Sequence, residues 1–260
     1  MDDTYQNYIN RVAQTTLLSS YKSQLEYIQQ SPKFTKLDGQ IEAKNFPGYS
    51  VITPPREEDS QNDEFYQHLQ QCQQQLVELL GTNLIIPVPG NSFHLTLADL
   101  IWESAFLDAS QSNPQFEEKL RSCIAESLQE LSISQNGHQV RWQILGIMVM
   151  TRAIGVCLVP KDESSYNRIL QLRRLIYQNP HFIALGIEQQ YHFTAHVTLG
   201  YFGEIPSDLD IAAVGDGISE LNNQWLENNS EMLLHRGELR KFDNMIRYYR
   251  QPDWPVVDLS

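Results

Sequence analysis

Side chains suited to burial recur at helical spacing from the start of the chain. Tyr5, Ile9, Val12, Thr16, Leu17, Tyr21, Leu25 and Ile28 predict one amphipathic helix over residues 4–30, stopped by Ser31-Pro32. Residues 34–40 read as a loop turning at Asp38-Gly39, and Tyr49 to Thr53 as a short strand closed by Pro54-Pro55. Phe65, Leu69, Cys72, Leu76 and Leu80 place a helix over 63–80, with Gly81 as its stop. Two extended runs follow, 84–88 and 92–97, parted by the turn at Pro89-Gly90. Asn113-Pro114 opens a helix that runs to about 131 on Phe116, Leu120, Ile124 and Leu131. The β-rich runs 139–150 and 153–159 meet at Thr151-Arg152 and predict a hairpin of buried strands. Beyond Pro160 the pattern gives a helix over 163–178, an extended run over 191–202 and a polar helix over 207–227. An antiparallel pair around 231–240 and 245–250 completes it.

The two halves repeat a plan. In each, a strand ends at a proline, a charged turn leads into a helix, and an extended run carries a histidine. Pro54 lies 40 residues before His94, and Pro160 lies 36 before His196. Such a duplication predicts two similar lobes about a pseudo-twofold axis, with equivalent residues facing each other across a cleft. No long linker or low-complexity tract divides the chain, so an N-terminal helix over 1–32 and a bilobal body over 33–260 are expected to form one cooperative unit.

Composition narrows the partners. The 260 residues are 41% hydrophobic and 20% charged, which is globular usage. Nineteen basic against 32 acidic side chains leave a formal charge of −13, which disfavours tracking along a DNA duplex but not a local pocket for one small anion. Cys72, Cys123 and Cys157 are far apart and read as buried free thiols of a reducing compartment. No secretory pattern opens the chain, and the longest apolar stretch, 144–150, is about a third of a membrane span. A soluble, cytoplasmic monomer that does not bind membranes is expected.

The candidate chemistry sits on the extended runs, which read Phe93-His94-Leu95-Thr96-Leu97 and Ala195-His196-Val197-Thr198-Leu199. Residues i and i+2 share a strand face, so each run turns a histidine and a threonine one way and apolar side chains the other. His192 falls on the face of His196, but four strand residues put the rings about 13 Å apart, too far for one metal ion. It is expected at the cleft or its rim. Tyr201, Tyr49 and Arg240 are further candidates for substrate binding, the tyrosines by hydrogen bonding or stacking and the arginine as a counter-charge. Arg173-Arg174 reads as surface, and His68, His138, His181 and His235 have no such setting. Phosphate-cradling glycine loops and nucleophile elbows are absent.

The paired His-x-Thr-Leu tetrads resemble the defining motifs of the two-histidine (2H) phosphoesterases, which include RNA ligase-like and cyclic phosphodiesterase enzymes. Lys36-Leu-Asp-Gly, Phe46-Pro-Gly-Tyr-Ser and Leu239-Arg-Lys-Phe with Met245 extend the resemblance over residues 34–250 and point to a bacterial branch of that superfamily. The resemblance implies an α+β fold of two pseudo-symmetric lobes, each a mostly antiparallel sheet backed by helices, with both tetrads in a central cleft. It implies that His94 and His196 act as an acid–base pair and that Thr96 and Thr198 hold phosphate. It further implies that no metal or other cofactor is needed and that the substrate is a nucleotide or RNA end with a cyclic or 2′-linked phosphodiester. Two other readings remain open from the residues: a cleft that binds such a ligand without turnover, and a metal-dependent hydrolase using His192, His196 and nearby carboxylates.

Overall fold

Alternating burial along the strands and single-sided burial on the helices set the architecture seen in the computed structural model, which describes residues 3–37, 40–133, 137–189, 191–226 and 230–259. The chain opens with α1 (Tyr5–Gln14) and α2 (Leu18–Leu25), then a hairpin of β1 (Phe34–Leu37) and β2 (Gln40–Ala43), and β3 (Gly48–Ile52). Next come α3 (Asp63–Leu80), β4 (Ile85–Pro87), β5 (Thr96–Trp102), α4 (Glu103–Ser112) and α5 (Phe116–Ile133). The second half runs through β6 (Arg141–Val149), β7 (Ala153–Pro160), α6 (Glu163–Tyr177), α7 (Pro180–Ile183), β8 (His196–Phe202) and α8 (Ile211–Leu226). It ends with β9 (Glu231–Leu233), β10 (Arg236–Asn244), β11 (Arg247–Tyr249) and β12 (Val256–Asp258).

Apart from the separate β1-β2 hairpin, the described strands form two antiparallel sheets. One has the order β11-β10-β3-β5, with β12 also on β10; the other has the order β4-β8-β7-β6-β9. In each sheet the tetrad strand pairs with the strand that ends near a proline, β5 with β3 and β8 with β7. The halves are nevertheless interleaved: β4 leaves the first half to pair with β8, and β10 returns from the C-terminal end to pair with β3. The fold is α+β, as expected.

Several local expectations need correction. The helix expected over 4–30 breaks at Thr15-Thr16, whose hydroxyls donate to the carbonyls of Val12 and Ala13 and draw those carbonyls away from the helical ladder. Both pieces belong to the body. Tyr8, Val12, Tyr21 and Leu25 are buried, and the Tyr8 and Tyr21 hydroxyls donate to the carbonyls of Leu158 and Ile147 at 2.8 Å each. Residues 34–37 and 40–43 form a hairpin rather than a loop, and its expected turn at Asp38-Gly39 lies outside the described residues, as does residue 227 at the end of the last helix. Regular strand begins only at Thr96 and at His196, later than the hydrophobic runs suggested. Helix α4 carries no clear periodic signal. It starts at Glu103, the one non-glycine among the described residues with a left-handed φ (51°), whose N–H donates to Pro47 O at 2.7 Å. All three cysteines are free and buried. Among the described residues, no helix is long and apolar enough to cross a membrane.

Candidate active site

The two tetrad segments bury one face and open the other. Phe93, Leu95 and Leu97, and likewise Phe193, Ala195, Val197 and Leu199, are buried. His94, Thr96, His196 and Thr198 all line one cleft of about 860 Å³ between the sheets. The same backbone device orients both imidazoles: His94 Nδ1 lies 2.7 Å from the Ser92 carbonyl oxygen, and His196 Nδ1 lies 2.8 Å from that of Thr194. A carbonyl only accepts, so each Nδ1 carries hydrogen and each Nε2 is left to exchange a proton with a ligand.

Each strand is also locked from behind by a helix. Arg173 on α6, buried rather than at the surface as its sequence setting suggested, donates from Nη1 to the Leu97 carbonyl at 2.6 Å. Gln73 on α3 donates from Nε2 to the carbonyls of Leu199 and Val88, at 2.7 Å each. The signal for Arg173 was its place among Ile169, Leu172 and Ile176 on the buried stripe of α6. On β7, Gly155 lies so close to β8 that a Cβ there would sit 2.5 Å from Val197 O, so the tetrad strand needs a glycine beside it.

Beyond each threonine a β-bulge brings one more side chain to the cleft: Asp99 three residues after Thr96, and Tyr201 three after Thr198. Burial raises the Asp99 carboxyl above its ordinary range, opposed by the charges of Arg173, His196 and Lys33. Burial also raises the Tyr201 phenol, with the nearby Asp99 charge adding to it. His94 is held down to about 4, chiefly by burial, with the positive charges of Arg240 and His196 adding and the bond to Ser92 opposing. Tyr248 stands against it, ring centroids 4.3 Å apart.

Three of the expected binding residues lie elsewhere. Tyr49 faces away from the cleft and donates its hydroxyl to Glu117 of α5; neighbouring residues on a strand point to opposite faces, and it is Ser50 that lines the cleft. Arg240 is buried and already neutralised. Its Nη1 and Nη2 donate to the two carboxylate oxygens of Glu58 at 2.7 and 2.6 Å, and Nε donates to Glu238 at 2.8 Å. It also reaches the Tyr248 carbonyl at 3.4 Å, so it supports the neighbour of His94 without lining the cleft. His192 precedes β8, where strand alternation no longer holds; it is half exposed with Nδ1 3.7 Å from Asp3, outside the cleft lining. Tyr201 does line it. The residues that sequence reasoning missed are Lys33, Asp99, Arg152 and Tyr248. His138, His181 and His235 face Asp162, Glu126 and Asp59 respectively, away from the cleft. Among the described residues, no three His, Cys, Asp or Glu side chains converge as a metal site would require.

No protein-family model matches the chain, and no curated protein sequence matches it significantly. Solved structures do. ATU0111, a conserved protein of unknown function from Agrobacterium tumefaciens strain C58, matches with a TM-score of 0.63 at 13% identity, over 92% of this chain and 97% of its own. Escherichia coli LigT in complex with 3′-AMP matches with a TM-score of 0.45 at 17% identity, over 82% of this chain and 97% of its own. Usb1 from Kluyveromyces marxianus matches with a TM-score of 0.41 at 12% identity, over 83% of this chain and 98% of its own. At 13% identity the likeness to ATU0111 is one of fold.

Proposed function

We propose that the protein is a metal-independent phosphodiesterase that opens a cyclic, 2′,3′-type or 2′-linked phosphodiester of a nucleotide or RNA end. The observation that carries this reading is the paired orientation of the imidazoles: two Nδ1–H groups tied back to carbonyls, two Nε2 atoms left for one cleft. Hydrolysis needs a proton removed from water as its oxygen bonds to phosphorus, and a proton given to the ribose oxygen as its bond to phosphorus breaks. His94, neutral above about pH 4, is in the form that can accept the first. His196 then supplies the second from a protonated Nε2. The Thr96 and Thr198 hydroxyls donate to the non-bridging oxygens, where negative charge grows in the transition state. Tyr201 and Ser50 are walls against which the nucleoside is placed.

The test is turnover of a panel of 2′,3′-cyclic nucleotides and 2′,5′-linked dinucleotides in EDTA, by wild type, His94→Ala and His196→Ala. Turnover that survives EDTA and falls by at least ~10²-fold in each variant is expected. Activity lost in EDTA and restored by zinc or manganese would sink the metal-independent reading. Tight binding without product would reduce the cleft to a binding site.

A further inference from the structure

The cleft carries cations that the proposed chemistry does not use. Among the described residues, Lys33 and Arg152 are the only lysine or arginine lining it, and neither has a carboxylate within ion-pair distance. In a chain of formal charge −13 that is unexpected. Arg240, Lys241 and Arg11, outside the cleft, are all paired with acids. The Lys33 ammonium is wedged 4.5 Å from the Phe46 ring centroid and 5.2 Å from that of Tyr201. Half-buried between two rings with no carboxylate in ion-pair contact, this cation is better satisfied by a ligand that supplies an anion. Burial accordingly lowers its pKa to about 8, with Asp99 and Glu103 opposing and Arg152 adding.

The segment is built to stay there. Backbone N–H groups of Gln29 and Ser31 donate to the carbonyls of Thr151 and Phe202, at 2.7 and 2.8 Å, fixing the chain before Lys33 to the hairpin tip and to the end of β8. At that tip, Arg152 rests Nε and Nη2 on the Gln29 side-chain oxygen at 3.3 and 3.1 Å, which leaves Nη1 free among the described residues. Tyr201 lies three residues beyond Thr198, across the β-bulge and further along β8. The Lys33 ammonium over its ring therefore lies down the cleft from the tetrads, not on the phosphate they would hold.

We propose that Lys33 and Arg152 form a second anion site, which takes a phosphate monoester carried by the same substrate beyond its scissile phosphodiester. This inference rests on the phosphodiesterase reading and narrows it, from any cyclic nucleotide to one that also bears a terminal phosphate.

Adenosine 2′,3′-cyclic phosphate and the same nucleotide with an added 5′-phosphate are compared as substrates of wild type, Lys33→Met and Arg152→Gln. Wild type is expected to favour the 5′-phosphorylated form by at least ~10-fold in kcat/KM, and the ratio is expected to fall to about 1 in Lys33→Met and part-way in Arg152→Gln. A ratio near 1 in wild type, or one unchanged in Lys33→Met, overturns the site while leaving the phosphodiesterase reading intact. If wild type turns over neither substrate, the catalytic reading fails instead. Calorimetry then decides, with adenosine 3′-phosphate and adenosine 3′,5′-bisphosphate as probes. The bisphosphate is expected to bind at least ~10-fold tighter, with the difference lost in Lys33→Met. Equal affinities, or no binding of either, overturn the second anion site. Arg152 is at an exposed hairpin tip, so its variant keeps the test readable should Lys33→Met fail to fold.

Discussion

The two tetrad strands hold their histidines the same way but sit in different surroundings. Strand β8 has a neighbour on each side, β7 and β4, whereas β5 pairs only with β3. The open edge of β5 is covered by α6, where Arg173 donates to Leu97 O and the Tyr177 hydroxyl donates to Asp99 O at 2.7 Å. The sheets behind them differ too. The centre of the second is apolar, with Ile147, Ile154, Val156 and Leu158 all buried. The first contains Arg240 and Glu238, both buried, together with Glu58. What the two segments share is the carbonyl two residues before each histidine, the threonine, and a helix side chain on the leucine carbonyl. What differs is the next cleft position, Asp99 against Tyr201. The shared parts are those that aim an imidazole and a hydroxyl, and the differing ones are free to shape the rest of the cleft.

The largest effect that would sharpen this contrast lies in the first sheet. Arg240→Met leaves Glu238 buried, with Arg236 at 2.6 Å its one remaining cationic partner among the described residues, and is expected to cost about 3–5 kcal/mol. Ile154→Val, at equal depth in the second sheet, is expected to cost about 0.5–1.5 kcal/mol. Urea denaturation of both variants measures the difference. Similar costs would mean that the ion cluster does not hold the first sheet together.

The next effect tests the helix locks. Arg173→Met removes a charged donor from the open edge of β5 and its contact over the Phe193 ring at 4.7 Å, and is expected to cost about 2–3 kcal/mol. Gln73→Leu removes two neutral bonds from α3, one to Val88 just after β4 and one to Leu199 on β8, and is expected to cost about 1–2 kcal/mol. Thermal melts rank them. A glutamine variant less stable than the arginine variant would show that β8 depends on its lock more than the edge strand does.

How much of this was legible in the sequence follows the range of the forces involved. Period-2 and period-3.6 patterns exposed the strands around both tetrads and the helices α3, α5 and α6, because local burial sets them. The tetrads pointed to a shared cleft since His-x-Thr fixes a face on any strand. Long-range pairing was not legible. Nothing near Arg240 shows that Glu58, 182 residues away in sequence, will occupy its guanidinium. Nothing near Lys33 shows that Phe46 and Tyr201 will enclose its ammonium. Tyr49 was misplaced by one residue of alternation, and His192 by a strand that starts later than its hydrophobic run. Helix α4 has a weak apolar stripe with Phe106 its only buried residue, and so left little periodic signal.

The smallest effect concerns the histidines themselves. His94 has Tyr248 against its ring and the Arg240 and His196 charges near it, and burial holds its pKa at about 4. Between about pH 4 and the ordinary imidazole value near ~6.5, the unfolded chain therefore binds a proton at this position that the folded chain does not. Stability is expected to fall as pH drops through that window and to be unaffected by His94 above it. Tyr248→Leu removes the packed ring and admits water, so the His94 ring protons, followed by NMR, are expected to titrate at higher pH than in wild type. The acid-side loss of stability should shrink with it, and the acid limb of kcat/KM should move up in step if His94 is the proton acceptor. A limb that stays in place while the NMR titration moves would assign the acceptor role to the other lobe, and the asymmetry between the two tetrads would then run the opposite way.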